Sequence, residues 1–158
     1  MKKQNHKNGL TLIELMVAMV AASIIILIAS LILIMAFRSW RVNNAYVNLR
    51  RDSAFAFTMM ARNVRESDTD EVEWAGGTLT IPSSVLGKPT VSYYRDGEAL
   101  RYNENGGTMT LIHDNVDEFS ATTTGDPEAD DGVLLRLVLA DADFGIAITN
   151  EMFVNTRN

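Results

Sequence analysis

The sequence predicts an α+β fold: one long N-terminal helix, membrane-spanning in its first half and amphipathic in its second, packed on an antiparallel β-sheet domain. Three observations lead there. Residues 15–37 hold no charged side chain and only two hydroxyls, Ser23 and Ser30, which meets the length and polarity of a bilayer-crossing helix. No Gly or Pro interrupts the chain between Leu10 and Ala75, so helix can continue well past the apolar run. Beyond about residue 70 the apolar period changes from 3.6 to two, the mark of half-buried strands.

Taken in order, residues 1–9 carry Lys2, Lys3 and Lys7 and no acid, and form a basic leader. Residues 10–37 are the apolar half of the helix, and residues 38–66 its amphipathic half. In that second half Val42, Tyr46, Leu49, Ser53, Phe57, Met60 and Val64 recur at steps of three and four, while Arg41, Asn48, Arg51, Arg62 and Arg65 fall mostly outside the stripe. At 1.5 Å per residue a helix from 10 to about 65 is roughly 80 Å long, more than a membrane requires, so its second half must pack on something. Arg62 and Arg65 suit the negative end of the helix dipole, and the polar cluster Glu66 to Asp70 marks the exit.

Residues 67–158 form the β-rich domain. Strands are expected over Glu71–Trp74, Thr78–Ile81, Thr90–Arg95, Glu98–Tyr102, Thr108–His113, Val116–Thr123, Val133–Ala140 and Phe144–Val154. Asp96-Gly97 between two alternating runs is a hairpin signal, and Asn105-Gly106-Gly107 is a second turn.

Charge divides the chain as sharply. Residues 38–65 carry six Arg against Asp52 alone, whereas residues 66–158 carry eighteen acidic side chains against five basic ones. A domain of that sign repels phosphate backbones, which argues against nucleic-acid binding. Cysteine is absent, which excludes disulfides, thiolate metal sites and Cys nucleophiles. A removable secretory signal would be shorter and end in small residues, unlike Phe37-Arg38-Ser39-Trp40. A plain signal anchor fits the charge flank, but leaves Gly9 and Glu14 without a reason.

The string Gly9-Leu10-Thr11-Leu12-Ile13-Glu14-Leu15, after a short Lys-rich leader and before an unbroken apolar helix, resembles the cleavage and methylation signal of type IV prepilins and type II secretion pseudopilins. The resemblance implies a pilin-like fold and a cut between Gly9 and Leu10 by a membrane-embedded aspartyl prepilin peptidase on the cytoplasmic side. It also implies N-methylation at Leu10, and makes Glu14 the fifth residue of the mature chain. Leu10 stands where the family most often has Phe. Implied partners are other pilin or pseudopilin subunits, the inner-membrane assembly platform and a cytoplasmic ATPase, and no enzymatic activity is expected. The chain would sit in the cytoplasmic membrane as a single-pass protein, its C-terminal domain extracytoplasmic, before entering a pilus or pseudopilus. Shorter strings, among them Val91-Ser92-Tyr93-Tyr94, Leu111-Ile112-His113-Asp114-Asn115-Val116 and the ending Phe153-Val154-Asn155-Thr156-Arg157-Asn158, are similar to W-type minor pilins and J-type minor pseudopilins. The apolar segment has no Pro and the chain has no Cys, where major pilins usually have a kinking Pro and many a disulfide, which favours a minor subunit.

Glu14 has a physical reading of its own. A carboxylate in a membrane helix costs about 2.5–3.5 kcal/mol at the bilayer centre and less near an end, so it marks a site with a partner. The helix offers backbone N–H groups and its positive pole. The amine freed at Leu10 offers a cation, which in the family belongs to an adjacent subunit. The alternative is a helix-end carboxylate reaching the headgroups.

Two further candidates remain. The loop Gly125 to Gly132 places Asp126, Glu128, Asp130 and Asp131 within six residues, a possible Ca²⁺ ligand set whose spacing does not fit the helix-loop-helix calcium motif; a solvated loop tip is the plainer reading. His113 beside Asp114 suggests half a triad, but no nucleophile-elbow motif accompanies it, and structural hydrogen bonding is the expectation. Arg38, Arg41, Arg50 and Arg51 suit anionic headgroups, acidic domains of neighbouring subunits, or simple solvation.

Overall fold

The computed structural model describes residues 11–67, 72–82, 88–124 and 132–156. One helix, α1 (Leu12–Arg65, 54 residues), precedes eight strands. The chain divides after Arg41 into two compact units. The first holds the apolar part of α1; the second holds the rest of α1 and every strand.

Within the second unit the expected stripe is the buried face of the helix. Leu49, Ser53, Phe57, Met60 and Val64 are buried, Val42 and Tyr46 half-buried, and Ala56 and Ala61 widen the seam on either side. Small side chains there let the helix backbone approach the strands. Arg51, Arg62 and Arg65 lie on the exposed side. The helix closes tightly: Glu66 and Ser67 donate backbone N–H bonds to the carbonyls of Asn63 and Val64, both 3.2 Å, and the buried Ser67 hydroxyl donates to Val64 O at 2.8 Å. Three-residue turns and a hydroxyl thus absorb part of the carbonyls a helix end leaves open. Lys88 pairs with Glu66, which also takes Arg62 at 3.5 Å. The Lys88 hydrogen bond holds the Glu66 carboxyl below its ordinary range, so this surface contribution is present at neutral pH and disappears as pH falls through the carboxylate range. Asp68, Thr69 and Asp70 of the expected exit cluster lie outside the described residues.

The strands are β1 (Glu73–Ala75), β2 (Thr78–Ile81), β3 (Val91–Asp96), β4 (Ala99–Glu104), β5 (Gly107–Ile112), β6 (Val116–Thr124), β7 (Gly132–Asp141) and β8 (Ile146–Asn155). They form two antiparallel sheets rather than one: a five-stranded meander β1-β2-β3-β4-β5 and a three-stranded sheet β6-β7-β8. The turns explain the meander. Asp96 pairs with Ala99, leaving Gly97 (φ 63°) at the first central position that a type II′ turn reserves for glycine. Glu104 pairs with Gly107 around Asn105 and Gly106, both at positive φ (53° and 82°), as a type I′ turn demands. The meander ends because Asn115 also takes positive φ (74°), after which Val116 N–H bonds Glu98 O (2.9 Å) and β6 starts a second sheet beside β7.

Most expected strand limits shift by one or two residues, and Glu71, where the first strand was expected to open, lies outside the described residues. His113 lies beyond β5, not within it. Phe144 lies in the β7–β8 turn, where the Asp141 carboxylate accepts the N–H groups of Asp143 (3.1 Å) and Phe144 (3.3 Å), so β8 opens at Ile146.

The inner faces of both sheets and the helix stripe share one core. Leu79, Ile81, Tyr93, Leu100 and Ile112 enter from the first sheet, and Val116, Phe119, Val133, Leu135, Leu137, Leu139 and Val154 from the second. Trp74 of β1 stands edge-on to Phe119 of β6, with centroids 5.4 Å apart, and links the sheets. Two polar pins set the helix against them: Asn63 Nδ2 donates to Tyr93 Oη at 2.6 Å, and Asn150 Nδ2 donates to the buried Ser53 Oγ at 2.7 Å. No buried side-chain polar atom among the described residues is left unsatisfied.

Two expected outcomes arise here. Burial raises the Tyr93 hydroxyl strongly, and burial together with its bond to Glu104 (2.7 Å) raises Tyr102 to about 12, from an ordinary value of 10.0. Both stay protonated in the fold while the unfolded chain ionises near 10, so stability is complete below that pH and falls above it. Melts at pH 8 and pH 11 should differ by about 1.4 kcal/mol from Tyr93 alone, and Tyr93→Phe should flatten the alkaline decline. A Cβ on Gly132 would sit 2.5 Å from the Phe153 ring and 2.6 Å from the Val154 carbonyl oxygen. Because one obstacle is backbone, Gly132→Ala should cost about 1–3 kcal/mol in denaturant melts.

Candidate processing and assembly site

The site begins at the first described residue. Thr11 is the N-cap of α1 and Glu14 its third helical residue, and they satisfy each other. Thr11 N–H and Thr11 Oγ1 both donate to Glu14 Oε2, at 2.8 and 2.9 Å, and Glu14 N–H donates back to Thr11 Oγ1 at 3.3 Å. This is a capping box, in which side chains take up N–H groups that the first turn leaves without helical partners. Its local signal is Thr11-x-x-Glu14 before an apolar run. Of the partners offered to Glu14, the described residues supply the backbone N–H. The carboxylate sits at the positive end of the helix and is aimed toward the chain's beginning.

From there to Phe37 the helix presents apolar side chains all round. Leu12 is 80% exposed, and none of the span is buried inside the protein. Ser23 Oγ donates to Val20 O at 2.7 Å and Ser30 Oγ to Ile26 O at 2.8 Å, so both hydroxyls of the run are satisfied within the helix. An unbroken backbone ladder with internally bonded hydroxyls is what an environment without water requires. The helix is long and apolar enough to cross a membrane.

Gly9 and Leu10, where cleavage and methylation are expected, lie outside the described residues, as do Asp126, Glu128, Asp130 and Asp131. Among the described residues no group of three His, Asp or Glu side chains is placed to hold a metal. His113 is exposed, its Nδ1 3.6 Å from Asp114 Oδ1, and among the described residues it has no hydrogen-bond partner of the structural kind expected of it. A cleft of about 290 Å³ at the end of α1 is lined by Arg62, Glu66, Lys88, Tyr102 and Glu104. Its charged groups already engage one another or Tyr102.

The combination of a capped acidic first turn and an all-apolar helix therefore has a counterpart among known sequences. Residues 4–36 match the family model of the prokaryotic N-terminal methylation motif. The match supports a type IV prepilin-like family, whose members are processed by prepilin peptidase and assemble with other pilin subunits. The long helix and antiparallel sheets fit the pilin-like α+β fold, and the motif with its apolar helix fits a single-pass membrane-anchored protein. No curated protein and no solved structure matches the chain significantly.

Proposed function

We propose that the chain is a minor pilin or pseudopilin, inserted in the cytoplasmic membrane with residues 1–9 inside and the β-rich domain outside, cut between Gly9 and Leu10, methylated at Leu10, and assembled into or priming a type IV pilus or type II secretion pseudopilus. The observation that carries the reading is the methylation motif over residues 4–36, which overlaps from Leu12 onward a helix whose single acidic side chain before Asp52 is Glu14. The work is structural. An apolar helix leaving lipid for a bundle of equal apolarity gains little hydrophobic free energy, so packing and a specific charge pair must bias the exchange. Glu14 supplies the acid of that pair and the amine of a neighbouring subunit's Leu10 the base. The absence of Pro in the apolar segment and of Cys in the chain favours a minor role, and the W- or J-type likeness rests on the short strand strings alone.

Intact-mass measurement on protein purified from its native membrane tests this directly. A chain beginning at methylated Leu10 is the expected result. A chain still beginning at Met1 in cells with active prepilin peptidase would replace the reading with an unprocessed, membrane-anchored binding module. Abundance in sheared filaments separates a minor subunit from a major, competence or adhesion pilin.

A further inference from the structure

The arginines beside the apolar run have a more definite partner than the sequence alone could choose. Arg38, Trp40 and Arg41 follow Phe37 within four residues, all exposed, with Trp40 64% accessible. At 1.5 Å per residue they stand about 2–6 Å beyond the last apolar side chain, the depth of headgroups in a bilayer that the helix spans. Arg38 and Arg41, three residues apart, share one side of the helix, and Trp40 lies about 100° round from Arg41.

The basic side chains of the described residues fall into two groups. Arg51, Arg62, Lys88, Arg101 and Arg136 each have a carboxylate within 4 Å. Among the described residues Arg38 and Arg41 form no ion pair, nor do Arg50, Arg65 and Arg95, and between Glu14 and Asp52 the sequence has no acid at all. Two guanidinium groups and an indole within one helical turn at the end of an apolar span match a lipid interface, where aromatic rings sit at headgroup level and guanidinium forks take phosphate oxygens in pairs. An acidic protein surface would use the arginines and leave the indole wet.

We propose that Arg38, Trp40 and Arg41 form a headgroup anchor that binds anionic phospholipid on the extracytoplasmic side of the membrane and fixes the depth of the helix. The assignment rests on insertion of the apolar helix in a bilayer. Two arginines near an anionic surface should enrich anionic lipid at least about tenfold at this site.

The test uses the full chain in phosphatidylcholine vesicles carrying equal mole fractions of acyl-brominated phosphatidylglycerol or brominated phosphatidylcholine. Trp40 is read in a Trp74→Phe variant, and a Trp40→Phe variant supplies the Trp74 background should the first fold poorly. The leader lysines precede the apolar run in sequence, thirty-three residues or more before this reporter. Brominated phosphatidylglycerol should quench Trp40 as if about tenfold enriched, and Arg38→Gln with Arg41→Gln should bring the two lipids level. Equal quenching in the unmodified helix, or a preference that survives the double substitution, overturns the anchor while leaving the membrane reading standing. Quenching by neither lipid overturns insertion itself and the anchor with it. If the double substitution weakens self-association in neutral detergent and leaves the lipid ratio unchanged, the arginines dock on the acidic domain of a second copy and the lipid assignment falls.

Discussion

Glu14→Ala should leave the protein in the membrane and remove it from filaments. The substitution deletes the acidic member of the proposed pair and strands the amine of a neighbouring subunit in an apolar bundle. Losing one partner of a buried pair costs about 3–5 kcal/mol, upward of a hundredfold in assembly. Insertion should survive or improve, because a charge leaves the apolar helix. The capping box complicates the interpretation of alanine alone, since Glu14 also takes the Thr11 N–H. Two companions separate the roles. Glu14→Gln keeps a side chain that can close the box and loses the charge, so it should assemble as poorly as alanine. Thr11→Ala loses the cap, worth about 1 kcal/mol, and keeps the charge, so it should assemble at a modestly reduced level. The readout is the fraction of each variant recovered in sheared filaments or crosslinked pseudopili, against equal membrane amounts. If Glu14→Gln assembles normally, the carboxylate is a helix cap and the charge-pair reading fails.

Phe57→Ala should be the most damaging substitution in the β-rich unit. Its ring is 3% exposed, in the middle of the seam between α1 and the sheets, where Met60 and Val64 follow it into the core. Truncating a buried phenylalanine removes its transfer free energy and leaves a cavity, together about 3–5 kcal/mol, comparable with the whole stability of many domains. The neighbour two residues earlier is the control. Phe55 is 53% exposed on the opposite side of the same helix, and Phe55→Ala should change stability by less than about 0.5 kcal/mol. Both are measured by denaturant melts of the full chain in detergent, following the near-ultraviolet signal. Equal losses from the two would mean that the helix does not pack as the stripe places it.

The stripe itself shows how much local chemistry carried. Side chains recurring at steps of three and four identified Leu49, Ser53, Phe57, Met60 and Val64 as the inward face, because a helix of 3.6 residues per turn leaves them no other common side. Two-residue turns were equally local: Gly97 and Asn105-Gly106 adopt positive φ at low steric cost, so the hairpins could be read from the residues that make them. Thr11-x-x-Glu14 is just as local, since both partners lie within the first turn.

Other features depend on groups distant in sequence. Ser53 reads as a minor polar flaw in an apolar stripe until Asn150, ninety-seven residues later, donates to it; Asn63 and Tyr93 meet across thirty. Whether eight strands form one sheet or two turned on the path at Asn115 and the hydrogen bond from Val116 to Glu98, which no pairing pattern along the chain announces. Period, length and turn residues act within a few bonds and therefore settled the helix, its buried side and the hairpins. Sheet partition and the Ser53 and Asn63 pins depend on which remote atoms come within 3 or 4 Å, and only the folded chain settles that.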